Sequence, residues 1–139
     1  MTQDEKLLLT KVLCAMSPYG VKIKVRSNDI RTIRAVDVVE GIVHFVESDS
    51  ISPFGVHIEH PMNFCQVVKP YLRPMSEMTD EERNELYELT HTGSEDWTFS
   101  HNAYVVIDWL NSKHFDYCGL IPKGLALKAK ENMYRQDSV

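Results

Sequence analysis

The histidines are the residues of this 139-residue sequence whose type and spacing most invite a metal-binding interpretation. His57 and His60 lie close to Cys65, and His44 lies on a neighbouring predicted strand. Imidazole and thiolate groups are common zinc ligands. On an extended strand, however, residues three apart point to opposite faces, and the spacing falls one residue short of the H-x-x-E-H zinc motif. We therefore predict no metal ion and no cofactor, and interpret these histidines as surface residues near a turn.

Basic residues form a second candidate site near the beginning of the chain: Lys22, Lys24, Arg26, Arg31 and Arg34. Alternation places the first three on one face of a predicted strand, and such a face can follow a phosphate backbone. No aromatic side chain is interleaved there to stack against bases. The pattern leaves two interpretations open: a solvated strand face, which is the commoner, and a nucleic-acid-binding face.

Aromatic residues and an arginine form a third set in the second half of the chain: Tyr71, Arg73, Trp97, Trp109, His114, Phe115 and Tyr117. Tryptophan, tyrosine and arginine dominate the hot spots of protein interfaces. Aromatic residues also fill the cores of small domains, so the sequence leaves core and contact surface both open. We predict this set as the residues that would contact a protein partner.

Signatures of catalysis are weak. Asp108 and Asp116 flank aromatic residues, and paired carboxylates can perform acid–base chemistry. They lie eight residues apart in the sequence without an identifiable partner, so we interpret Asp108 as a helix-surface residue. The sequence contains no glycine-rich phosphate loop, no nucleophile elbow and no cysteine–histidine signature. We therefore favour a function other than catalysis.

The net charge of −5 is unevenly distributed along the chain. From Glu77 to Asp96 there are eight acidic residues and one arginine, Arg83, whereas the basic residues described above precede this segment. A negative net charge argues against non-specific nucleic-acid binding as the main activity. The split favours charge complementarity within the molecule, between subunits or with a protein partner.

The cysteines and the hydropathy pattern bear on the compartment. Cys14, Cys65 and Cys118 are odd in number and far apart, which is typical of free thiols in a reducing cytoplasm. No apolar run approaches the ~20 residues of a membrane span. The acidic first residues also differ from a signal peptide. We expect a cytoplasmic protein that does not associate with membranes.

The first half of the chain predicts one helix followed by short strands. Thr2 and Glu5 form a capping box, and apolar residues from Leu8 to Met16 recur on one helical face before Pro18 and Gly20 end the helix. Strands are predicted at 21–25, 30–38, 42–46, 56–58 and 64–68. The phase of apolar residues shifts between Ile33/Ala35 and Val36/Val38, which predicts a β-bulge and a bent strand. Closely spaced bent strands favour a small antiparallel sheet or barrel.

The stretch from Lys69 to Glu82 separates this half from a helical second half. Pro70 and Pro74 predict an extended connection that does not continue a strand. Thr79 and Glu82 form a second capping box, which begins a helix over 80–90 with Leu86 and Leu89 inward. A second helix follows Ser100, with apolar spacing at Ala103, Val106, Ile107 and Leu110. The apolar segment 120–127 contains proline and glycine, so we expect it to pack irregularly on the core.

Two motifs, KPYLRPMSEMTDEE at 69–82 and IDWLNSKHFDYCGLIPKGLAL at 107–127, carry a resemblance. They resemble recurrent segments of a family of short uncharacterised proteins from Bacteroidales gut bacteria and their phages. The similarity covers 67–133 well and the PYGV segment at 18–21 more loosely. The family has no established activity, cofactor or catalytic residue. The resemblance implies a gene of a prophage or other mobile element, expressed in the cytoplasm of its bacterial host.

These observations predict a single α+β domain over residues 1–139. We expect an N-terminal helix (1–19), a small bent antiparallel sheet or SH3-like barrel (20–70), a helical part (71–129) and a flexible tail (130–139). The function they favour is that of a non-catalytic accessory protein of a phage or mobile element that acts through protein–protein contact. The alternative is a nucleic-acid-binding module that uses the basic face of the sheet.

Overall fold

A computed structural model describes residues 2–25, 30–39, 42–46, 59–63, 69–91 and 99–134. Its helices are α1 (Gln3–Met16), α2 (Asp80–His91) and α3 (Phe99–Ser112), with short 3₁₀ helices at Ser17–Tyr19 and Met75–Glu77. Its strands are β1 (Lys22–Lys24), β2 (Ile30–Asp37), β3 (Ile42–Val46), β4 (Glu59–Asn63), β5 (Lys69–Leu72) and β6 (Leu127–Lys128). The α+β class predicted from the sequence is confirmed.

The six strands of the described ranges form one sheet in the order β4-β3-β2-β1-β5-β6. All neighbours are antiparallel except β5 and β6, which are parallel. Because β4 and β6 are not paired with each other, the described sheet is open, so of the two predicted forms the bent sheet is present rather than the closed barrel. The predicted bulge is also present: the register of β2 against β3 shifts between Ile33 and Ala35.

Two prolines lie inside strands, contrary to the sequence analysis. Pro70 lies in β5, opposite Ile23 of β1, so the predicted connection is a strand in the interior of the sheet. Pro61 lies in β4, opposite His44, between the two strands that were predicted at 56–58 and 64–68. Strand β4 is at an edge of the sheet, where one side of the strand requires no hydrogen-bond donor. The strands predicted at 56–58 and 64–68 lie outside the described residues.

Helix α1 packs on one face of the sheet, as its apolar spacing predicts. Thr2 caps its beginning by accepting a hydrogen bond from the Glu5 amide at 3.1 Å, and Gly20 follows its end with a φ of 66°. The main core joins this helix to alternate residues of the strands and to the segment after α3. Its buried residues are Leu9, Val12, Leu13, Met16, Val21, Ile23, Val25, Ile33, Val43, Phe45, Leu72, Leu120, Leu125 and Ala126.

Helices α2 and α3 build a second, smaller core around Met78, Trp109, Leu110 and Phe115. The predicted capping box is formed in full: the Glu82 amide donates to Thr79 Oγ1 at 3.1 Å, and the Thr79 amide donates to a Glu82 carboxylate oxygen at 3.0 Å. Leu86 and Leu89 pack inward as predicted. On α3, however, Ile107 is 45% exposed, because Trp109 with Val106 and Leu110 forms the inward face instead.

The structure describes the first part of the predicted flexible tail, residues 130–134. These residues form a turn that carries the ring of Tyr134 back against the main core, where it is half-buried. Residues 135–139 lie outside the described ranges. Cys14 and Cys118 are free thiols as expected, and burial raises the pKa of each. No helix of the described ranges is both long and apolar enough to cross a membrane.

Candidate functional site

The end of β5 is held by an arginine that reaches two other parts of the chain. Both terminal nitrogens of Arg73 donate to the two carboxylate oxygens of Glu82, at 2.8 and 2.7 Å. One of them also donates to the backbone oxygen of Lys113 at 3.3 Å. The guanidinium lies over the ring of Phe115, 4.3 Å from its centroid. This residue therefore joins β5, the first turn of α2 and the segment after α3.

Glu82 serves the ion pair and the helix cap at the same time. Its hydrogen bonds with Arg73, assisted by the Thr79 amide, lower the pKa of this carboxyl to about 2. The side chains of Arg73 and Glu82 are only 22% and 13% exposed. Such a bidentate, largely buried pair is geometrically specific. We infer that it fixes the position of α2 against the sheet.

His114 occupies a backbone position that usually belongs to glycine. Its φ is 63°, and it follows α3 where the Phe115 amide donates to the Leu110 oxygen and the His114 amide donates to the Asn111 oxygen. This is the Schellman pattern of helix ends, whose left-handed residue is most often glycine. A histidine there carries a conformational cost of order 1–3 kcal/mol. Such a conformation persists only where the surrounding contacts hold it.

The imidazole of His114 contacts the 3₁₀ helix after α1 and the C-terminal turn. Its Nε2 lies 2.8 Å from the backbone oxygen of Tyr19, and because a carbonyl only accepts, this nitrogen carries the proton. The ring stacks on the ring of Tyr134, with centroids 3.8 Å apart and planes inclined by 15°. Burial lowers the pKa of His114, and the positive charges of Arg73 and Lys22 act in the same direction. The imidazole is therefore held neutral at pH 7.

This arrangement predicts that acid weakens the junction. Because the pKa of His114 is lower in the folded protein than the ordinary 6.5, the unfolded chain binds more protons below pH 6.5. The free energy of unfolding should therefore fall as the pH is lowered from about 6.5 to 5. Urea unfolding across this range measures the slope. The slope should decrease in His114→Asn, since asparagine tolerates the left-handed backbone but does not titrate; an unchanged slope would contradict the assignment.

Two clefts adjoin these residues. One, of about 890 Å³, lies between the C-terminal turn and the beginning of α2. The other, of about 570 Å³, is lined by Tyr19, Lys113 and His114. Arg73, Glu82 and Tyr134 line both clefts. These clefts bring together the ion pair, the strained histidine and the C-terminal turn, but the arrangement contains no nucleophile activated by a base.

The predicted contact set is mostly interior. Tyr71, Trp109, His114 and Phe115 are 5%, 8%, 8% and 0% exposed, so they offer little surface to a partner. Tyr117 is half-buried and its hydroxyl donates to the buried Asn111 side chain at 2.7 Å. The structure thus favours the core interpretation for these residues. Trp97 lies outside the described residues. Trp109 Nε1 is buried, and it has no hydrogen-bond partner among the residues that the structure describes.

The two candidate carboxylates are used separately. Asp108 accepts a hydrogen bond from the Tyr19 hydroxyl at 2.5 Å, and this bond raises the pKa of Tyr19. Asp116 accepts from the backbone amides of Leu120 and Ile121, at 2.7 and 2.9 Å. Asp108 is exposed on the helix surface as predicted. The two carboxylates hold different segments rather than facing one another across a site.

The outward face of α3 carries two exposed apolar side chains, Tyr104, which the sequence analysis did not name, and Ile107, which it placed on the inward stripe. Tyr104 is 71% exposed and Ile107 is 45% exposed, one helical turn apart. Tyr19, 36% exposed, reaches this face through its hydrogen bond to Asp108. We call Tyr19, Tyr104, Ile107 and Asp108 the α3 patch. Its position could not be read from the helix periodicity, because Ile107 fits the apolar stripe equally well.

The predicted basic cluster is divided between the faces of the sheet. Lys22 and Lys24 share the face that alternates with buried Ile23, whereas Arg31 lies opposite Ile23 and so on the other face. Arg34 is exposed beside the bulge, and Arg26 lies outside the described residues. Lys69 of β5 lies directly opposite Lys24, which adds a lysine that the sequence analysis did not include.

Lys22, Lys24 and Lys69 therefore form one group on this face, which we call the lysine row. The amine of Lys22 donates to Thr32 Oγ1 at 3.1 Å. Within the described ranges, none of the three lysines is ion-paired. Like charges directly opposite each other on neighbouring strands repel. An anionic ligand would relieve this repulsion.

The structure describes only part of the candidate zinc site. His44 lies on β3, while His57 and Cys65 lie outside the described ranges. No group of three or more histidine, cysteine, aspartate or glutamate residues in the described part of the chain is placed to hold a metal ion.

Tyr134 is the residue that sequence reasoning most clearly missed. Its hydroxyl accepts from the Lys22 amide at 2.7 Å and donates to the Tyr71 oxygen at 2.6 Å, and burial raises its pKa. A lone aromatic residue within a polar C-terminal segment was the only available signal.

Comparison with known proteins supplies no family for this site: no family model matches the sequence, and no match was found among curated proteins or solved structures.

Proposed function

We propose that this protein is a non-catalytic accessory protein that acts through protein–protein contact, with the α3 patch as the contact surface. The observation that supports the proposal is the pair of exposed side chains Tyr104 and Ile107, 71% and 45% accessible on one helix face. Tyrosine is enriched at interface hot spots, and exposed apolar clusters mark interaction sites. This surface replaces the largely buried aromatic set as the proposed site.

The α3 patch is also held in a fixed geometry. Trp109 and Leu110 anchor the opposite side of the helix in the second core. The bond from Tyr19 to Asp108 orders the neighbouring phenol. Side chains that are ordered before binding lose less conformational entropy on association. A small surface of this kind can therefore contribute usefully to affinity.

The resemblance of the segments at 69–82 and 107–127 to proteins of Bacteroidales and their phages suggests the setting. We place the protein with mobile-element proteins of such bacteria, and propose that it acts in the cytoplasm on a partner from the host or the element. The second of these segments begins at Ile107, within the α3 patch.

A capture experiment with matched variants tests the protein-contact proposal. The wild type, a Tyr104→Ser/Ile107→Ser variant and a Tyr87→Ser control are compared in a bacterial lysate by quantitative mass spectrometry. Tyr87 is 62% exposed on α2, so the control removes an exposed tyrosine elsewhere. We expect a protein retained by the wild type and the control but reduced at least about tenfold by the double variant. Equal recovery in all three would contradict the proposal.

The lysine row supports a second candidate function, the binding of nucleic acid. Lys22, Lys24 and Lys69 lie on one sheet face without ion-pair partners in the described part of the chain. Phosphate contacts make affinity fall with salt, by a logarithmic slope of about 0.9 for each contact on duplex DNA. A salt series with single- and double-stranded DNA and RNA therefore tests this function.

The salt series compares two variants with the wild type. The double variant Lys24→Glu/Lys69→Glu changes the lysine row, and its control, Lys11→Glu, changes a lysine on the exposed surface of α1. We expect the double variant to weaken binding and reduce the salt slope, while Lys11→Glu changes both much less. Absence of binding at low salt, or equal loss in both variants, would remove this candidate and leave protein contact.

A further inference from the structure

The backbone pairing of β1 with β5 ends one residue pair before Lys22 and Tyr71, and a side chain bridges these two residues instead. Ile23 lies opposite Pro70 and Lys24 opposite Lys69, so the same register would place Lys22 opposite Tyr71. At that step the Lys22 amide donates to the hydroxyl of Tyr134 at 2.7 Å, and this hydroxyl donates to the Tyr71 oxygen at 2.6 Å. The phenol thus takes the place of a direct backbone hydrogen bond between two neighbouring strands.

The surroundings of this step match a phenol in two respects. The backbone supplies one donor, the Lys22 amide, and a near acceptor, the Tyr71 oxygen, with the Lys22 oxygen as a second, longer acceptor at 3.4 Å. The group between them must therefore accept and donate at once. The ring of His114 provides a flat stacking surface 3.8 Å from the phenol ring. His114 adopts a strained left-handed backbone while it provides this surface. We call this arrangement the phenol slot.

Apart from Tyr134, the described part of the chain gives residues 130–134 few contacts with the rest of the protein, one of them the Lys130 amine over the ring of Tyr71, 5.9 Å from its centroid. The last backbone hydrogen bond to the sheet is from Ala129 to the Leu72 oxygen, and the next bond, from Met133 to Lys130, is internal to the turn. Lys130, Glu131 and Asn132 are exposed. The cleft of about 890 Å³ separates this turn from Arg73 and the beginning of α2. Segments with few buried contacts open at low free-energy cost.

We propose that the phenol slot is a binding site for a tyrosyl side chain, and that Tyr134 fills it as a displaceable intramolecular ligand. Residues 130–134 then act as a strap over the site. When the strap leaves, the Lys22 amide and the Tyr71 oxygen become available to a tyrosine supplied by another chain. The slot recognises the ligand by the hydroxyl geometry and by stacking on His114.

The concentration of free phenol needed to displace Tyr134 follows from the length of the chain segment that tethers Tyr134. Tyr134 lies five residues beyond the Ala129–Leu72 hydrogen bond, and a short flexible tether gives an effective concentration in the millimolar range. A free phenol must therefore reach millimolar concentrations to compete. p-Cresol, which is the tyrosine side chain without its backbone, is the appropriate probe. 4-Methylanisole is its matched control, because the ether oxygen can accept from Lys22 but cannot donate to Tyr71.

Limited trypsin digestion of the wild-type protein tests displacement directly. Lys130 lies in the strap, and Lys11 lies in α1 as an internal reference for general unfolding. We expect millimolar p-cresol to accelerate cleavage after Lys130 several-fold in a saturable manner, without accelerating cleavage after Lys11. 4-Methylanisole should have little effect. No acceleration, equal acceleration by the two compounds, or equal acceleration at both lysines would overturn the proposal.

Two variants test the slot independently of the protease. In Tyr134→Phe the ring remains but the hydroxyl is lost, so hydrogen exchange of the Lys22 amide should be at least about tenfold faster than in the wild type. In Tyr134→Ala, p-cresol should shift the Lys22 amide resonance, or restore the folded spectrum if the variant is unfolded without it. Unchanged exchange in the first variant, or no response to p-cresol in the second, would overturn the proposal.

Discussion

Replacing Phe115 by alanine should lower the free energy of unfolding by about 3–5 kcal/mol, the range for loss of a buried phenylalanine. The side chain is fully buried at the centre of the second core and stacks on Trp109, with ring centroids 5.9 Å apart. It also supports the guanidinium of Arg73. Its removal therefore leaves a cavity and releases the arginine that joins β5 to α2. Urea unfolding followed by circular dichroism measures the loss.

The control for this substitution is Tyr104→Ala, which removes an aromatic side chain from the exposed face of α3. Surface substitutions of this kind usually change stability by no more than about 0.5 kcal/mol. A large difference between the two variants is expected because one side chain is packed and the other is solvated. Similar losses in both variants would mean that the second core does not stabilise the fold as described.

Replacing Glu82 by glutamine should lower the free energy of unfolding by about 2 kcal/mol at pH 7, because a hydrogen-bonded charge pair loses one charge. Glutamine is nearly isosteric and can still cap the Thr79 amide, so the substitution isolates the ion pair from the capping box. Glu85→Gln, on the exposed surface of the same helix, is the control.

The lowered pKa of Glu82 also predicts how the free energy of unfolding changes in acid. The pKa of Glu82 falls from an ordinary 4.5 to about 2 in the folded protein. Its contribution to stability is therefore complete above about pH 4.5 and is lost as the pH falls towards 2. The difference in unfolding free energy between the wild type and Glu82→Gln should narrow between pH 5 and pH 3. A difference that stays constant over this range would contradict the ion pair.

Structural features that depend on only a few neighbouring residues were predicted correctly from the sequence. The capping boxes require only residues three apart, and the end of α1 requires only Pro18 and Gly20. The bulge in β2 was visible as a shift in the alternation of apolar residues. Proline was the misleading signal, since Pro70 lies within β5, opposite Ile23 of β1.

The candidate sites depended on contacts that the sequence does not specify. The residue types around Phe115 suit a core and an interface equally, and burial alone distinguishes the two. The division of Lys22 and Arg31 between opposite faces depends on the register of β1 against β2. Such a register is a property of the paired strands, so neither strand reveals it alone.

The amino-acid sequence by itself determined the α+β class, the beginnings of α1 and α2 and the bend in β2, because these follow from backbone propensity and side-chain periodicity over short distances. The tertiary structure alone decided that the aromatic set lies inside, that the α3 patch lies outside, and that Tyr134 completes the step between β1 and β5. The last of these joins residues 112 positions apart in the chain. Only the packing of the folded chain places that hydroxyl between a donor and an acceptor.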